Sequence, residues 1–348
     1  MRANLPLFLL LILSGHFGFA QDSKREVGQE ELVLYNDSIQ LPGTLSIPAG
    51  VKKPPLLIFI HGSGNIDRKG NQGPALQLGY LEVLPDSLNQ KGIATYRFDK
   101  RTSSIENLKK MTRIRISDYV EDVRIAVKHF AKDKRFSGIH LLGHSQGSLV
   151  GLLVKEKEVK SYTSLAGAAK RIDTIIINQI GGQLPALKPV ARQHFKELHE
   201  TDTILKVNPM LAQVFAGPNQ KFLKDWAAYD PQKEIKECGI PILIIQGLAD
   251  IQVPLEQGLD LAASAAPYFE SLPAFIDLRD EQSDAPQKTV ELKAKDAAIR
   301  IAVIPKLNHL GKEVNSLAEN QQAYGDASVP LSNELIRVLA EFLTKSDG

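Results

Sequence analysis

The chain has 348 residues, 43% hydrophobic and 24% charged, the balance of an ordinary folded protein and not of a disordered or fibrous one. Its net charge of +2, with no basic cluster, argues against nucleic acid as a partner. The single cysteine, Cys238, excludes an intrachain disulfide framework and a multi-cysteine zinc site, and reads as a small buried hydrophobe.

Residues 1–20 read as a signal peptide. Arg2 gives a positive start, Leu5 to Leu13 is apolar apart from Pro6, and Gly18-Phe19-Ala20 supplies small residues before a cut after Ala20. The apolar run is about half of the ~20 residues a spanning helix needs. Gln21 follows the cut, where lipid attachment would require cysteine. The expectation is an exported chain, periplasmic or secreted, without stable membrane insertion after cleavage. Two strands follow, Glu31–Tyr35 and Ile39–Ile47, joined by the turn Asn36-Asp37-Ser38 and pairing antiparallel at a sheet edge. Continuous apolar runs then predict buried strands at Leu56–Ile60, Ile93–Phe98, Ile139–Leu142, Tyr162–Leu165, Ile242–Ile245 and Ile299–Ile304. Helical stripes lie between them: Tyr119, Val123, Val127 and Phe130 behind an N-cap at Ser117; Leu255, Leu259, Ala262 and Ala266; and Leu335, Leu339 and Phe342 capped by Ser332.

Alternating strands and helices predict an α/β fold with a mostly parallel, twisted sheet and helices on both faces. Residues 170–232 carry helical stripes (Ile172, Ile175, Ile176, Ile180; Ile204, Val207, Leu211, Phe215) without a strand. They read as a helical cap inserted into a single domain, residues 21–348. The stripe with Leu211 and Phe215, together with Trp226, is expected to cover a substrate pocket. Residues 277–295 read as a polar insertion.

Gly143-His144-Ser145-Gln146-Gly147 sits between a strand and the helical run Leu149–Val154, the context of a nucleophile elbow. Such a turn leaves no room for side chains two residues either side of the serine, and it presents the hydroxyl at a helix N-terminus. Serine needs a base. Of the histidines outside the elbow, His309 alone follows a late buried strand across a short loop, at the sheet edge that carries Ser145. The carboxylate that would orient it is Asp250, in Gly247-Leu248-Ala249-Asp250 after the preceding strand. The alternative for Asp250 is a helix N-cap before Pro254. Asp277, Asp280 and Asp284 are weaker candidates, with no buried strand ahead of them. Backbone N–H groups of Gln146 and of Ser63, with Gly62 as the alternative, would form an oxyanion hole. The loop Gly62-Ser63-Gly64-Asn65-Ile66-Asp67 fails as a dinucleotide fingerprint because Asp67 takes the third glycine position. No Walker loop, HExxH or CxxC occurs, so neither a metal nor another cofactor is expected.

IFIHGSGNIDRKGNQGP (58–74), KGIATYRFDKR (91–101), LLGHSQGS (141–148), WAAYDP (226–231), PILIIQGLADIQVP (241–254) and IPKLNHL (304–310) resemble the serine hydrolases of the α/β-hydrolase superfamily. More narrowly, they are similar to bacterial EstD-like esterases near the dienelactone-hydrolase and prolyl-oligopeptidase branch. The resemblance implies an α/β-hydrolase fold, triad roles for Ser145, Asp250 and His309, and an oxyanion hole from the HGSG loop with Gln146. It also implies a serine esterase acting on a small-molecule carboxylic ester. Asp67, Arg97, Asp99 and Arg101 read as loop-bracing salt bridges and not as catalytic groups. Asp250 and His309 stand farther apart in sequence than is usual for such enzymes. A peptidase of the prolyl-oligopeptidase type, a thioesterase or acyltransferase, and a catalytically silent binding module are the alternatives.

Overall fold

The computed structural model describes residues 28–73, 77–266, 289–293 and 298–346. The expected signal peptide and Asp277, Asp280 and Asp284 lie outside the described residues. Among the described residues nine strands form one sheet: β1 Gly28–Asn36, β2 Ile39–Ile47, β3 Leu56–Ile60, β4 Ala94–Phe98, β5 Ile139–His144, β6 Val159–Leu165, β7 Ile242–Gly247, β8 Val290–Lys293 and β9 Ile299–Ile304. Their order is β1-β2-β4-β3-β5-β6-β7-β9-β8. The run from β4 to β9 is parallel, while β1, β2 and β8 pair antiparallel at the two ends. The short strand β8 interrupts the stretch read as a polar insertion; its four residues, VELK, alternate too briefly to announce a strand.

The helices are α1 Leu84–Asn89, α2 Ile105–Lys110, α3 Ile116–Phe130, α4 Gln146–Val154, α5 Ile172–Gln183, α6 Lys188–Thr201, α7 Ala212–Phe215, α8 Gly217–Ala227, α9 Pro231–Lys236, α10 Leu255–Ala265, α11 Leu317–Ala323 and α12 Asn333–Ser346. Every residue of β3 is buried because both faces of the sheet are covered. Leu56, Ile58 and Ile60 share one core with Val123 of α3, Val150 of α4 and Leu261 of α10. Leu57 and Phe59 point the other way, into a second core with Leu84 and Leu88 of α1 and Leu335, Leu339 and Phe342 of α12. The alternation follows from the two-residue period of a strand. Helix α3 begins one residue ahead of the expected cap: Asp118 accepts the Arg115 N–H at 2.8 Å, so the start is set at Arg115 and not at Ser117.

Helices α5 to α9 fill the chain between β6 and β7. Here the stripe reading fails. Residues Ile204 to Phe215 are not one helix: Pro209 opens a 3-10 turn, Pro209–Leu211, and α7 follows. Proline lacks the N–H that a continuing helix would need. Ile204, Leu211 and Phe215 instead close a third core with Ile180, Phe195 and Leu198, internal to the insertion.

Parallel pairing also aligns the strand ends. Ile60 pairs with Gly143, His144 with Leu165, and Gly247 with Ile304. The loops after β3, β5, β7 and β9 therefore open at one edge of the sheet, where ligands bind in open α/β sheets.

Candidate active site

Ser145 stands between β5 and α4 at φ 53° and ψ −116°, a conformation unfavourable for any residue with a Cβ. The flanking glycines make this turn possible. A Cβ on Gly143 would lie 2.2 Å from the Gly147 carbonyl oxygen, and one on Gly147 would lie 2.2 Å from that of Ile60. The Ser145 N–H donates to the Leu165 carbonyl at 2.9 Å, which ties the strained residue to β6. Its side chain is partly open to a cavity.

His309 and Asp250 meet across their two loops. The Nδ1 of His309 lies 2.8 Å from Oδ2 of Asp250, and both residues are buried. The other carboxylate oxygen accepts the N–H groups of Gln252 and Val253 at 2.8 and 2.9 Å. Asp250 thus holds its own turn and the imidazole at once; the N-cap of α10 is Pro254. His309 is anchored on its far side too. Asn308 accepts the N–H groups of Leu310 and Lys312, both at 3.0 Å, which folds the loop tightly around His309. The His309 carbonyl lies 2.7 Å from Nε2 of His144, whose ring centroid is 4.9 Å from that of His309. Burial pushes the His144 imidazole down to about 3, so it stays neutral and donates from Nε2. The residue before Ser145 therefore holds the backbone of His309. The motif reading passed over His144, treating it only as spacing in the pentapeptide.

The loop after β3 reaches the same place. A Cβ on Gly62 would lie 3.3 Å from that of Ser145, so this backbone passes beside the serine. Ser63 and Gln146 share a cavity wall with Ser145. Of the expected loop-bracing salt bridges, Asp99 and Arg101 form ion pairs, whereas Asp67 and Arg97 brace the loop through hydrogen bonds to backbone. Asp67 accepts the N–H groups of Lys69 and Asn71 at 2.9 Å, and Arg97 donates to the carbonyls of Arg68 and Leu81 at 3.0 and 2.6 Å. Asp99 pairs with Arg68 at 3.2 Å, and Arg101 grips Asp122 with two bonds of 2.6 and 2.7 Å. Between Asp99 and Arg101 sits Lys100, buried, with its ammonium 2.6 Å from the Gly62 carbonyl and 2.7 Å from Oε1 of Gln146. Sequence reading missed it; its place directly after a buried strand, at the reactive sheet edge, was the available signal.

A cavity of about 320 Å³ opens at Ser145. Its apolar wall comes from Ile172, Ile175 and Ile176 of α5 and from Trp226 of α8. A second cavity, about 730 Å³, lies on the other side of Ser63, Gln146 and Trp226 and runs past Tyr119 and Phe222. Trp226 lines both. Leu211 and Phe215 line neither: at 3% and 0% exposed they are committed to the insertion's own core, where Phe215 packs edge-on against Phe195. Among the described residues no group of three or more His, Cys, Asp or Glu side chains is placed to hold a metal ion. No helix among them is long and apolar enough to cross a membrane.

Comparison with known proteins gives three findings. A family model described as "Serine aminopeptidase, S33" matches residues 75–209, which include Ser145 but neither Asp250 nor His309. Esterase EstD of Thermotoga maritima is 27% identical over 214 residues, 61% of this chain and 50% of the relative, so the chain spans about half the length of that curated relative. Among solved structures, Est1E from Butyrivibrio proteoclasticus superimposes with a TM-score of 0.53 at 16% identity, covering 91% of this chain and 98% of that one. An esterase of Pyrococcus furiosus gives 0.54 at 14% identity over 93% and 92% of the two chains. The acylaminoacyl peptidase of Pyrococcus horikoshii gives 0.54 at 15% identity over 93% of this chain and 42% of that one. The chain has the α/β-hydrolase fold. The neighbours include esterases and a peptidase, so the scaffold leaves the choice of bond to the site.

Proposed function

We propose that this chain is an exported serine esterase that cleaves carboxylic esters through an acyl-enzyme on Ser145. The observation that carries the reading is the strained serine at the strand-to-helix turn, whose preceding residue His144 binds the backbone of a histidine with its Nδ1 bonded to a buried carboxylate. In this reading His309 removes the Ser145 proton as the hydroxyl attacks the ester carbonyl, then protonates the departing alcohol. Water attacks the acyl-enzyme with His309 as base again, releasing acid and free Ser145. Asp250 holds the imidazole with its Nδ1 protonated and stabilises the imidazolium. The N–H groups of Ser63 and Gln146 receive the oxyanion, with Gly62 keeping that backbone close. The two cavities that share Ser63, Gln146 and Trp226 suit a substrate whose two arms differ in size. Export rests on the first twenty residues.

The matched family description favours a second reading, an aminopeptidase. Such an enzyme must receive a free α-ammonium. Among the described residues the charged side chains lining the two cavities are Lys170, Arg113 and Lys221, all cations, which would repel it. This supports the ester over the aminoacyl substrate. A fluorophosphonate probe, with the adduct located by mass spectrometry, and a panel of nitrophenyl esters beside aminoacyl anilides would test the reading. The expected result is labelling at Ser145 and turnover of esters. Anilide hydrolysis faster than ester hydrolysis would replace the esterase reading with the peptidase one; absence of labelling would remove both.

A further inference from the structure

We propose that Lys100 is a positioning residue that presets the oxyanion hole, binding the Gly62 carbonyl, which shares an amide with the Ser63 N–H, and the side chain of Gln146, which supplies the other N–H. The proposal rests on the esterase reading above. Lys100 follows β4, and its ammonium donates to the Gly62 carbonyl at 2.6 Å and to the Gln146 side chain at 2.7 Å. The Gly62 carbonyl and the Ser63 N–H belong to one planar amide. A cation on the oxygen draws electron density through that amide and leaves the Ser63 N–H a stronger donor toward the cleft. The second bond fixes the Gln146 side chain, and so steadies the first residue of α4, whose own N–H is the other donor.

The surroundings of Lys100 argue against a role in packing alone. Apart from its two oxygen acceptors, its ammonium faces the Tyr119 ring, 4.5 Å away. Asp122 lines the small cavity beside it, but both Asp122 oxygens are held by Arg101, and one also by Asn36. His61 borders the same space, and burial pushes its imidazole down to about 3, so it is neutral. Among the described residues no carboxylate pairs with Lys100. Burial without a counter-charge pulls its ammonium down to about 7. An apolar side chain would fill this position without that penalty, so the charge is placed where its acceptors are, on the oxyanion loop and the elbow.

The test compares wild type, Ser145→Ala and Lys100→Met in ester turnover, thermal melting and inhibition by an aryl boronic acid, which forms a tetrahedral adduct on the serine. Losing one oxyanion donor outright costs ~10²–10³-fold in kcat; weakening the donors through Lys100 should cost ~10–100-fold. KM should stay within about twofold, and the boronate inhibition constant should rise in step with the loss of kcat. Wild-type kcat in Lys100→Met, or a rise in KM without loss of kcat, would overturn the role of Lys100 and leave Ser145 as nucleophile. Activity persisting in Ser145→Ala would overturn the esterase reading itself. If Lys100→Met does not fold, Gln146→Ala takes its place: it keeps the Gln146 N–H and removes one acceptor of Lys100. A several-fold lower kcat at unchanged KM is then expected, and an unchanged kcat would refute the proposal.

Discussion

Replacing Asp250 by Asn changes little in shape and much in chemistry. The Asn Oδ1 can keep the N–H groups of Gln252 and Val253, now held at 2.8 and 2.9 Å. Its amide then faces His309 Nδ1 across the 2.8 Å contact with two hydrogens where a carboxylate oxygen stood. Nδ1 must become an acceptor, and the ring proton moves to Nε2, the nitrogen that should take the proton of Ser145. The nearby His144 imidazole is no substitute base: pushed down to about 3, it already donates to the His309 carbonyl. A wrong tautomer of this kind costs ~10⁴-fold in kcat, about 5.4 kcal/mol of transition-state stabilisation at 1.36 kcal/mol per decade. Melting should shift far less, since the turn keeps its hydrogen bonds. The assay is nitrophenyl ester hydrolysis with thermal unfolding on the same samples. Asp250→Asn within tenfold of wild type, with Asp277→Asn or Asp280→Asn inactive, would refute the assignment of the carboxylate.

Gly147→Ala should prevent the elbow from closing, because its Cβ would lie 2.2 Å from the Ile60 carbonyl; a loss of ~3 kcal/mol or more is expected from forced overpacking, read as a lowered denaturation midpoint. Acid should destabilise the fold through His61 and His144, each pushed from 6.5 to about 3 by burial. These depressed values give stability that is fully present above pH 6.5 and is lost as pH falls toward 3, with a combined slope of at most ~2.7 kcal/mol per pH unit; urea midpoints between pH 7 and 4 would check it. Trp226→Ala and Ile176→Ala should change the ratio of kcat/KM between short and long acyl esters by ~10-fold or more, since a methylene in an apolar pocket is worth roughly 1–3 kcal/mol. Phe215→Ala should leave that ratio alone while lowering stability by ~3–5 kcal/mol.

What could be read from the sequence was what repeats locally. Buried parallel strands are continuous apolar runs, so LLIFI and ILII stood out, and the opening hairpin of β1 and β2 was marked by its Asn36-Asp37-Ser38 turn. The elbow was legible because both glycines stand within two residues of the serine, although Gly147 makes room for the distant Ile60 carbonyl. The strand β8 was not, for it is held by pairing with β9 and carries little pattern of its own. The stripe at Ile204 to Phe215 misled for a related reason. Its spacing is helical, but Pro209 breaks the helix, and the surface these residues cover is made by Ile180, Phe195 and Leu198, one or two helices earlier. Lys100 escaped notice because its partners, Gly62 and Gln146, lie 38 and 46 residues away.

The division into three cores bears on how such a site can vary. Ser145, Asp250, His309 and the Gly62 loop are carried by four parallel strands whose registers fix the loops at one edge, with sheet cores on both faces. The insertion supplies the cavity wall from α5 and α8, yet folds around its own core. Ile172, on the cavity side, belongs to none of these cores and can change without disturbing the packing that holds Asp250 against His309, whereas Ile176 leans on the insertion's core and Trp226 on a sheet core. Changes in the inner core act on whether the wall forms at all. Substrate choice and chemistry are thus separable in this fold, and single substitutions on the α5 wall should move KM and acyl preference before they move the pH dependence of kcat.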